Sequence, residues 1–162
     1  MGDNGFSLGE HGLQGKWFGF EESIRVPMII SGAALPKKLQ GIVSDQIALN
    51  IDVAPTLLSL AGIRVPATMQ GNDLIAMLDS GKPSRKDFFY EHTFMGSPKL
   101  PKVEGVVSEE FKYMKYIEHD YEELYNTGKD AFETTNLAQN PAYQAKLKQM
   151  RARYEQLKQE VK

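Results

Sequence analysis

The sequence predicts an α/β segment followed by a small α+β subdomain, the latter an antiparallel sheet of about four strands with a packed C-terminal helix. Three observations predict this. The run Val26-Pro27-Met28-Ile29-Ile30 is apolar without alternation, as in a strand covered on both faces of a mostly parallel sheet. Beyond Gly71 short segments alternate apolar and polar residues, the pattern of antiparallel strands. The end of the chain repeats apolar residues at spacings of four and three, the period of a helix lying on a core. The division that follows is residues 1–70 for the α/β part and 71–162 for the α+β part.

The elements follow in order. Residues 2–23 carry Gly2, Gly5, Gly9, Gly12, Gly15 and Gly19 among His11, Lys16, Trp17, Glu21 and Glu22, which predicts a long shaped loop. Pro27 lies near the start of the first strand, where a missing donor is tolerated. Asp52 is placed to cap a helix that takes Pro55 in its first turn, buries Val53, Leu57 and Leu60, and stops at Gly62. A short helix is expected over 74–78, then strands over 87–90, 105–107, 111–117 and 123–125. In the third of these, Phe111, Tyr113, Lys115 and Ile117 alternate with Lys112, Met114, Tyr116 and Glu118, which predicts a strand with one face well covered. Asn140 as cap, Pro141 in the first turn, and Tyr143, Leu147, Met150, Tyr154, Leu157 and Val161 define the final helix. Its repeat is too short for a coiled coil and suits packing on the sheet.

Composition bounds the function. The chain has 162 residues, 41% hydrophobic and 25% charged, the make-up of an ordinary globular domain. Its 19 basic and 21 acidic side chains are interspersed, so no basic face is expected that would hold nucleic acid or an anionic membrane. No apolar run reaches the roughly 20 residues that span a bilayer, and the N-terminus has neither a basic region nor an apolar signal core. With no cysteine, disulfides, thiolate zinc sites and cysteine nucleophiles are excluded. The polar, glycine-containing opening, with no element before it, suggests a segment of something longer.

Chemistry is concentrated near the start. Asp3 and Asn4 set a carboxylate and an amide oxygen side by side before Gly5, oxygen donors of the type that calcium and magnesium choose. Asp-Asn-Gly is also a common turn. Lys16, between Gly15 and Trp17, is a cationic point donor that could grip a sulfate or phosphate oxygen or steady a leaving oxygen. A solvated surface lysine is the plain alternative. His11 could contact an anionic substrate, donate a proton, or hydrogen-bond within its own loop.

Asp3-Asn4-Gly5, Leu8-Gly9-Glu10-His11-Gly12, Gly15-Lys16-Trp17 and Glu22-Ser23-Ile24-Arg25-Val26-Pro27 occur here in the order and spacing of type I sulfatases of the alkaline phosphatase superfamily. The resemblance continues through Asn50-Ile51-Asp52-Val53-Ala54-Pro55-Thr56-Leu57-Leu58, Gln70-Gly71-Asn72-Asp73-Leu74, Glu123-Leu124-Tyr125-Asn126 and Glu133-Thr134-Thr135-Asn136-Leu137. It implies the end of an alkaline-phosphatase-like sheet domain followed by the small α+β subdomain. It implies that Asp3 and Asn4 are metal ligands, giving two donors to a calcium ion, that Lys16 binds sulfate and its bridging oxygen, and that His11 contacts substrate. Glu22, Arg25 and Pro27 match a family signature but read better as structural, the first two in pairs that fix the loop. Substrates implied for the parent are sulfated small molecules or glycans, and its compartment the periplasm or the outside of the cell.

One family feature is missing. Such sulfatases attack with a formylglycine hydrate made from a cysteine or serine in a C-x-P-x-R type motif. Gly81-Lys82-Pro83-Ser84-Arg85 has proline and arginine at the right offsets but glycine at the nucleophile position. The nucleophile is therefore expected upstream, and the isolated chain is expected to bind calcium weakly, to hydrolyse no aryl sulfate, and to self-associate through uncovered sheet surface. Two alternatives stand beside this reading: a phosphodiesterase or phosphonate hydrolase of the same superfamily, and a non-catalytic interaction module built on the sheet and terminal helix.

Overall fold

The computed structural model describes residues 1–83, 85–93 and 100–161. The glycine-rich start folds as a short antiparallel hairpin, β1 (Ser7–Leu8) against β2 (Gln14–Gly15), rather than as a plain loop. Its tip is a 3₁₀ turn over Glu10–Gly12 in which His11 takes φ 57°, a left-handed conformation that non-glycine residues seldom adopt. The chain then enters a single helical turn, α1 (Glu21–Ile24). Gly5 is required here: a Cβ on it would lie 2.0 Å from the carbonyl oxygen of Glu22, and its N–H donates to the Ser23 carbonyl at 2.8 Å.

Residues 28–86 form one compact unit, and residues 2–27 with the chain from 87 onward form the other. The motif loop thus packs with the strands that follow residue 86.

Residues 26–30, which run from the second unit into the first, join no sheet among the described residues, which corrects the expected strand. Ile29 is 84% exposed. An unalternated apolar run becomes a strand only where neighbouring strands supply partners for its backbone. A helix does form at α2 (Val53–Leu60), but two details differ from expectation. It buries Pro55 and Thr56, leaving Leu57 60% exposed. Asp52 makes no side-chain cap to α2. Fully buried, its carboxylate takes a bidentate pair from Arg85 at 2.5 and 2.6 Å and accepts the N–H groups of Leu49 at 2.7 Å and Asn72 at 2.8 Å. Burial alone would push this carboxyl up; Arg85 and the two N–H groups outweigh it and hold the group below its ordinary value. Helix α3 (Leu74–Ser80) is capped by Asp73, which accepts from Ile75 and Ala76, and ends at Gly81 in the left-handed region, as glycine does at helix ends. Arg85 of the near-match to the nucleophile motif is therefore spoken for by Asp52; Ser84 lies outside the described residues.

In the second unit, β3 (Asp87–His92), β4 (Val103–Ser108), β5 (Lys112–Tyr116) and β6 (Tyr121–Tyr125) form a four-stranded antiparallel meander in sequence order. Val106 pairs with Phe89 and Tyr113, and Tyr113 with Leu124, so these side chains fall on one face. Helix α4 (Gln144–Glu160) packs there through Leu147, Met150, Tyr154 and Leu157. Asn140 caps its approach by accepting from the Ala142 N–H at 3.0 Å, with Pro141 in a 3₁₀ turn before the helix proper. The other face is covered too, contrary to expectation. Val103, Val107, Met114 and Tyr116 pack against Phe18 and Ile24 of the motif loop. Met114 lies between Gly19 of the loop and Gly105 of β4, each of which would clash with it if it carried a Cβ. That contact is the close approach the glycines permit.

Candidate functional site

The hairpin returns the chain so that residue 16 comes back beside residues 3 and 4. Lys16 donates from Nζ to Asn4 Oδ1 at 3.0 Å, and the Asp3 carboxylate oxygen is 4.0 Å from the same nitrogen. Three of the four expected site residues are thus brought together. Their exposure is high, 88% for the Asp3 side chain and 43% for Lys16, so the charge pair is screened and contributes little to stability. Two neighbours aim the lysine. Gly15 takes φ +100°, and Trp17 folds back over it, so that a Cβ on Gly15 would lie 2.6 Å from the indole Nε1. The indole in turn meets His92 of β3 edge to face at 5.7 Å.

His11 is held elsewhere in the loop. Its ring stacks on Phe20, with centroids 3.8 Å apart and 11° between the planes, and its Nε2 is 3.4 Å from Glu22 Oε2. Glu22 and Arg25 do not pair with each other: Arg25 approaches Glu21 at 3.9 Å. Glu22 thus pairs with His11 within the loop, whereas Arg25 is 80% exposed and reaches, among the described residues, only its own helical turn.

Beneath the loop lies a buried ionic group that sequence reasoning missed. Lys112, fully buried on β5, reaches Glu133 at 2.6 Å and Glu21 at 2.7 Å. Glu133 also accepts the backbone N–H of Glu21 at 2.8 Å. Burial pushes the Glu133 carboxyl up despite Lys112. Nearby on the same face, Tyr116 at 3.1 Å and Tyr121 at 3.2 Å donate to the buried Glu123, whose carboxyl burial likewise raises. A signal for Lys112 was present, since it alternates with Met114 and Tyr116 on a face that proves to be core. Among the described residues no group of three or more His, Cys, Asp or Glu converges as a metal site would require.

Comparison with known proteins decides the family. The family model for the N-sulphoglucosamine sulphohydrolase C-terminal region matches residues 9–160. The chain belongs to this family. It is similar, over nearly its whole length, to the C-terminal portion of sulfatases of the alkaline phosphatase superfamily. An N-acetylglucosamine-6-O-sulfatase of Bacteroides thetaiotaomicron is 30% identical over 167 residues, covering 99% of this chain and 29% of that protein. A solved structure of a protein in complex with its substrate D-glucosamine-2-N,6-O-disulfate superposes with a TM-score of 0.86 at 31% identity, covering 96% of this chain and 32% of that one. The phosphonate monoester hydrolase of Agrobacterium radiobacter superposes with a TM-score of 0.74 at 26% identity, over 93% of this chain and 34% of that chain. The sulfatase C-terminal chain thus spans about a third of the length of such relatives. Its antiparallel sheet and closing helix are the architecture the sequence predicts.

Proposed function

We propose that this chain supplies the downstream half of the sulfate site of a sulfatase that hydrolyses sulfate esters on sulfated carbohydrates. The convergence of Lys16 Nζ on Asn4 Oδ1 at 3.0 Å, with Asp3 at 4.0 Å, carries the reading. A lysine held beside two oxygen donors is a cation poised next to a place for another cation, and a sulfate ester offers oxygens to both. Lys16 binds a sulfate oxygen and steadies negative charge as the ester oxygen departs. His11, oriented by Glu22 and Phe20, contacts the substrate side of the loop. The substrates named for the relatives, including an amino sugar sulfated on nitrogen and oxygen, support a sulfated glycan as the ligand.

Asp3 and Asn4 fit calcium as a partial donor set. Both offer hard oxygens, and calcium takes six to eight such ligands. The Asn4 carbonyl oxygen, now accepting from Lys16, would turn to the ion. When bound, calcium would neutralise sulfate charge. The rest of its donors and the formylglycine nucleophile lie outside this chain in our reading, so the isolated chain binds calcium weakly and turns over no aryl sulfate.

The test is titration of the chain with inorganic sulfate and with a sulfated glucosamine, followed by isothermal calorimetry. Lys16→Ala lowers affinity on the order of tenfold, the value of one charge-assisted hydrogen bond. Equal binding by wild type and Lys16→Ala sinks the assignment, and aryl sulfate hydrolysis that depends on Lys16 sinks the claim that the nucleophile is elsewhere. The likeness to a phosphonate monoester hydrolase supports a second reading, in which the same lysine serves a phosphonate or phosphate ester. Preference for phenylphosphonate over sulfate in the same titration favours it.

A further inference from the structure

We propose that Lys112, Glu133 and Glu21 form a buried clamp that positions the Lys16 loop on the sheet, making Lys112 and Glu133 positioning residues for the sulfate site. The inference rests on the reading of Lys16 given above and names what holds that lysine in place.

Four observations meet at this point. The loop between β2 and α1 crosses the sheet face through Phe18, Gly19 and Phe20, and α1 begins where the clamp grips it: Glu21 is bound twice, by its carboxylate to Lys112 and by its backbone N–H to Glu133. The sheet side of the clamp is rigid, because Lys112 lies within β5, where it pairs with Val107 and Tyr125, and it has no exposed surface. Glu133 is 2% exposed and takes φ 51°, a backbone conformation that persists only where its surroundings hold it. The purpose of the strain is visible in the result, since Glu133 presents one carboxylate oxygen to Lys112 and the other to the loop backbone. Finally, Phe18 and Ile24 pack on this face and Met114 fits between Gly19 and Gly105, and the ion pair at Glu21 adds a fixed point to that apolar contact. A loop clamped at Glu21 fixes where Trp17 rests on His92 and hence where Lys16 meets Asn4.

The chain carries its own reporter, because Trp17, next to Lys16, is the sole tryptophan. Two variants are compared with the wild-type chain: the double Lys112→Met/Glu133→Leu, which replaces the buried charges with apolar side chains of similar size, and Glu21→Ala, which removes the loop side of the clamp. A buried ion pair replaced as a whole need not destabilise, so the double variant separates anchoring from stability. We expect far-UV circular dichroism to stay native while acrylamide quenching of Trp17 rises roughly twofold, as for a segment released to open locally. Sulfate affinity falls with it, and the Lys112→Arg variant restores part of both. Wild-type quenching in either variant that keeps its native circular dichroism overturns the clamp. The two ideas fail separately: a wild-type chain that binds no sulfate defeats the reading of Lys16, while the quenching comparison still decides the clamp.

Discussion

The two faces of the sheet in the second unit are built from different materials. On the helix face, Val106, Tyr113, Leu124, Leu147, Met150 and Tyr154 form an apolar core. Its ionic groups lie toward the rim, as in Arg153 paired with Asp87 at 2.7 Å and Arg151 with Glu122, apart from Glu104, which is 8% exposed and takes Lys158 and Tyr154. On the loop face the charges lie in the middle: Lys112 is fully buried, Glu133 is 2% exposed and Glu123 is 6% exposed. A periodic helix can shield a face with apolar side chains because its repeat matches the sheet. An irregular glycine-rich loop has no such repeat, so beside the apolar contacts of Phe18 and Ile24 it is held by ion pairs and hydrogen bonds at particular atoms. The helix face should therefore tolerate change in proportion to the volume removed, and the loop face in proportion to the charge left unpaired.

The largest effect is expected where that contrast is sharpest. Lys112→Met leaves Glu133 and Glu21 facing each other in a buried space, at a cost of about 3–5 kcal/mol. Urea unfolding measures it, and a loss below about 1 kcal/mol would erase the distinction between the faces. Leu147→Ala tests the opposite face. It removes a side chain that is 1% exposed and should cost about 2–5 kcal/mol through lost burial and the cavity left behind. Its signature differs, however: the unfolding midpoint falls while Trp17 emission in the folded protein stays where it was. A red shift of Trp17 in this variant would mean that the two faces are not independent.

How much of this was legible beforehand divides along the same line. The helix face was readable because periodicity states it: Leu147, Met150, Tyr154 and Leu157 recur every three or four residues, and Tyr113 alternates along its strand. The loop motifs were readable as a family resemblance, and Asp3, Asn4 and Lys16 do meet. What could not be read was the coverage of the second face, because the loop that provides it lies far from β5 in sequence and carries no period. The alternation along β5 predicts one well-covered face and does not mark Lys112 as buried. The strand expected over 26–30 failed for a related reason. Its pattern describes a residue's surroundings, and strand neighbours for it are not among the described residues. Asp52 was read as a helix cap because it precedes α2, whereas its strongest partner, Arg85, is distant in sequence.

A smaller effect returns to the helix face and tests whether its buried Tyr154–Glu104 contact resembles those of the loop face. Tyr154, 1% exposed, donates to Glu104 at 2.5 Å beside Lys158. Burial, with Glu104 adding to it, pushes its hydroxyl up to about 12. Tyr154→Phe keeps the ring on Phe89 and Tyr113 and should cost about 1–3 kcal/mol, the penalty for leaving Glu104 short of a partner. Because Lys158 still reaches Glu104, the low end of that range is expected.

The smallest effect is Glu133→Gln, and its sign carries more information than its size. Burial raises the folded pKa of Glu133 above its ordinary 4.5, so the native state binds more protons than the unfolded chain between 4.5 and the folded value. Stability from this group is therefore greatest below 4.5 and declines as pH rises through that window. Glutamine fixes the neutral form and keeps an oxygen that can accept the Glu21 N–H, and Lys112 keeps Glu21 as its anionic partner, so near neutral pH the change should be far below that of Lys112→Met, on the order of 1 kcal/mol. The decline with pH should disappear in the variant. Asp52, whose carboxyl is held low, acts in the opposite direction, losing its contribution as pH falls below 3.8, and Glu123 acts in the same direction as Glu133. Both are common to the two proteins and cancel in the difference between their urea-unfolding curves. That difference should slope so that the variant gains on the wild type as pH increases above 4.5. A flat difference would mean that Lys112 holds Glu133 at its ordinary pKa, and the loop face would then owe its position to Glu133's geometry rather than to a charge buried at a cost.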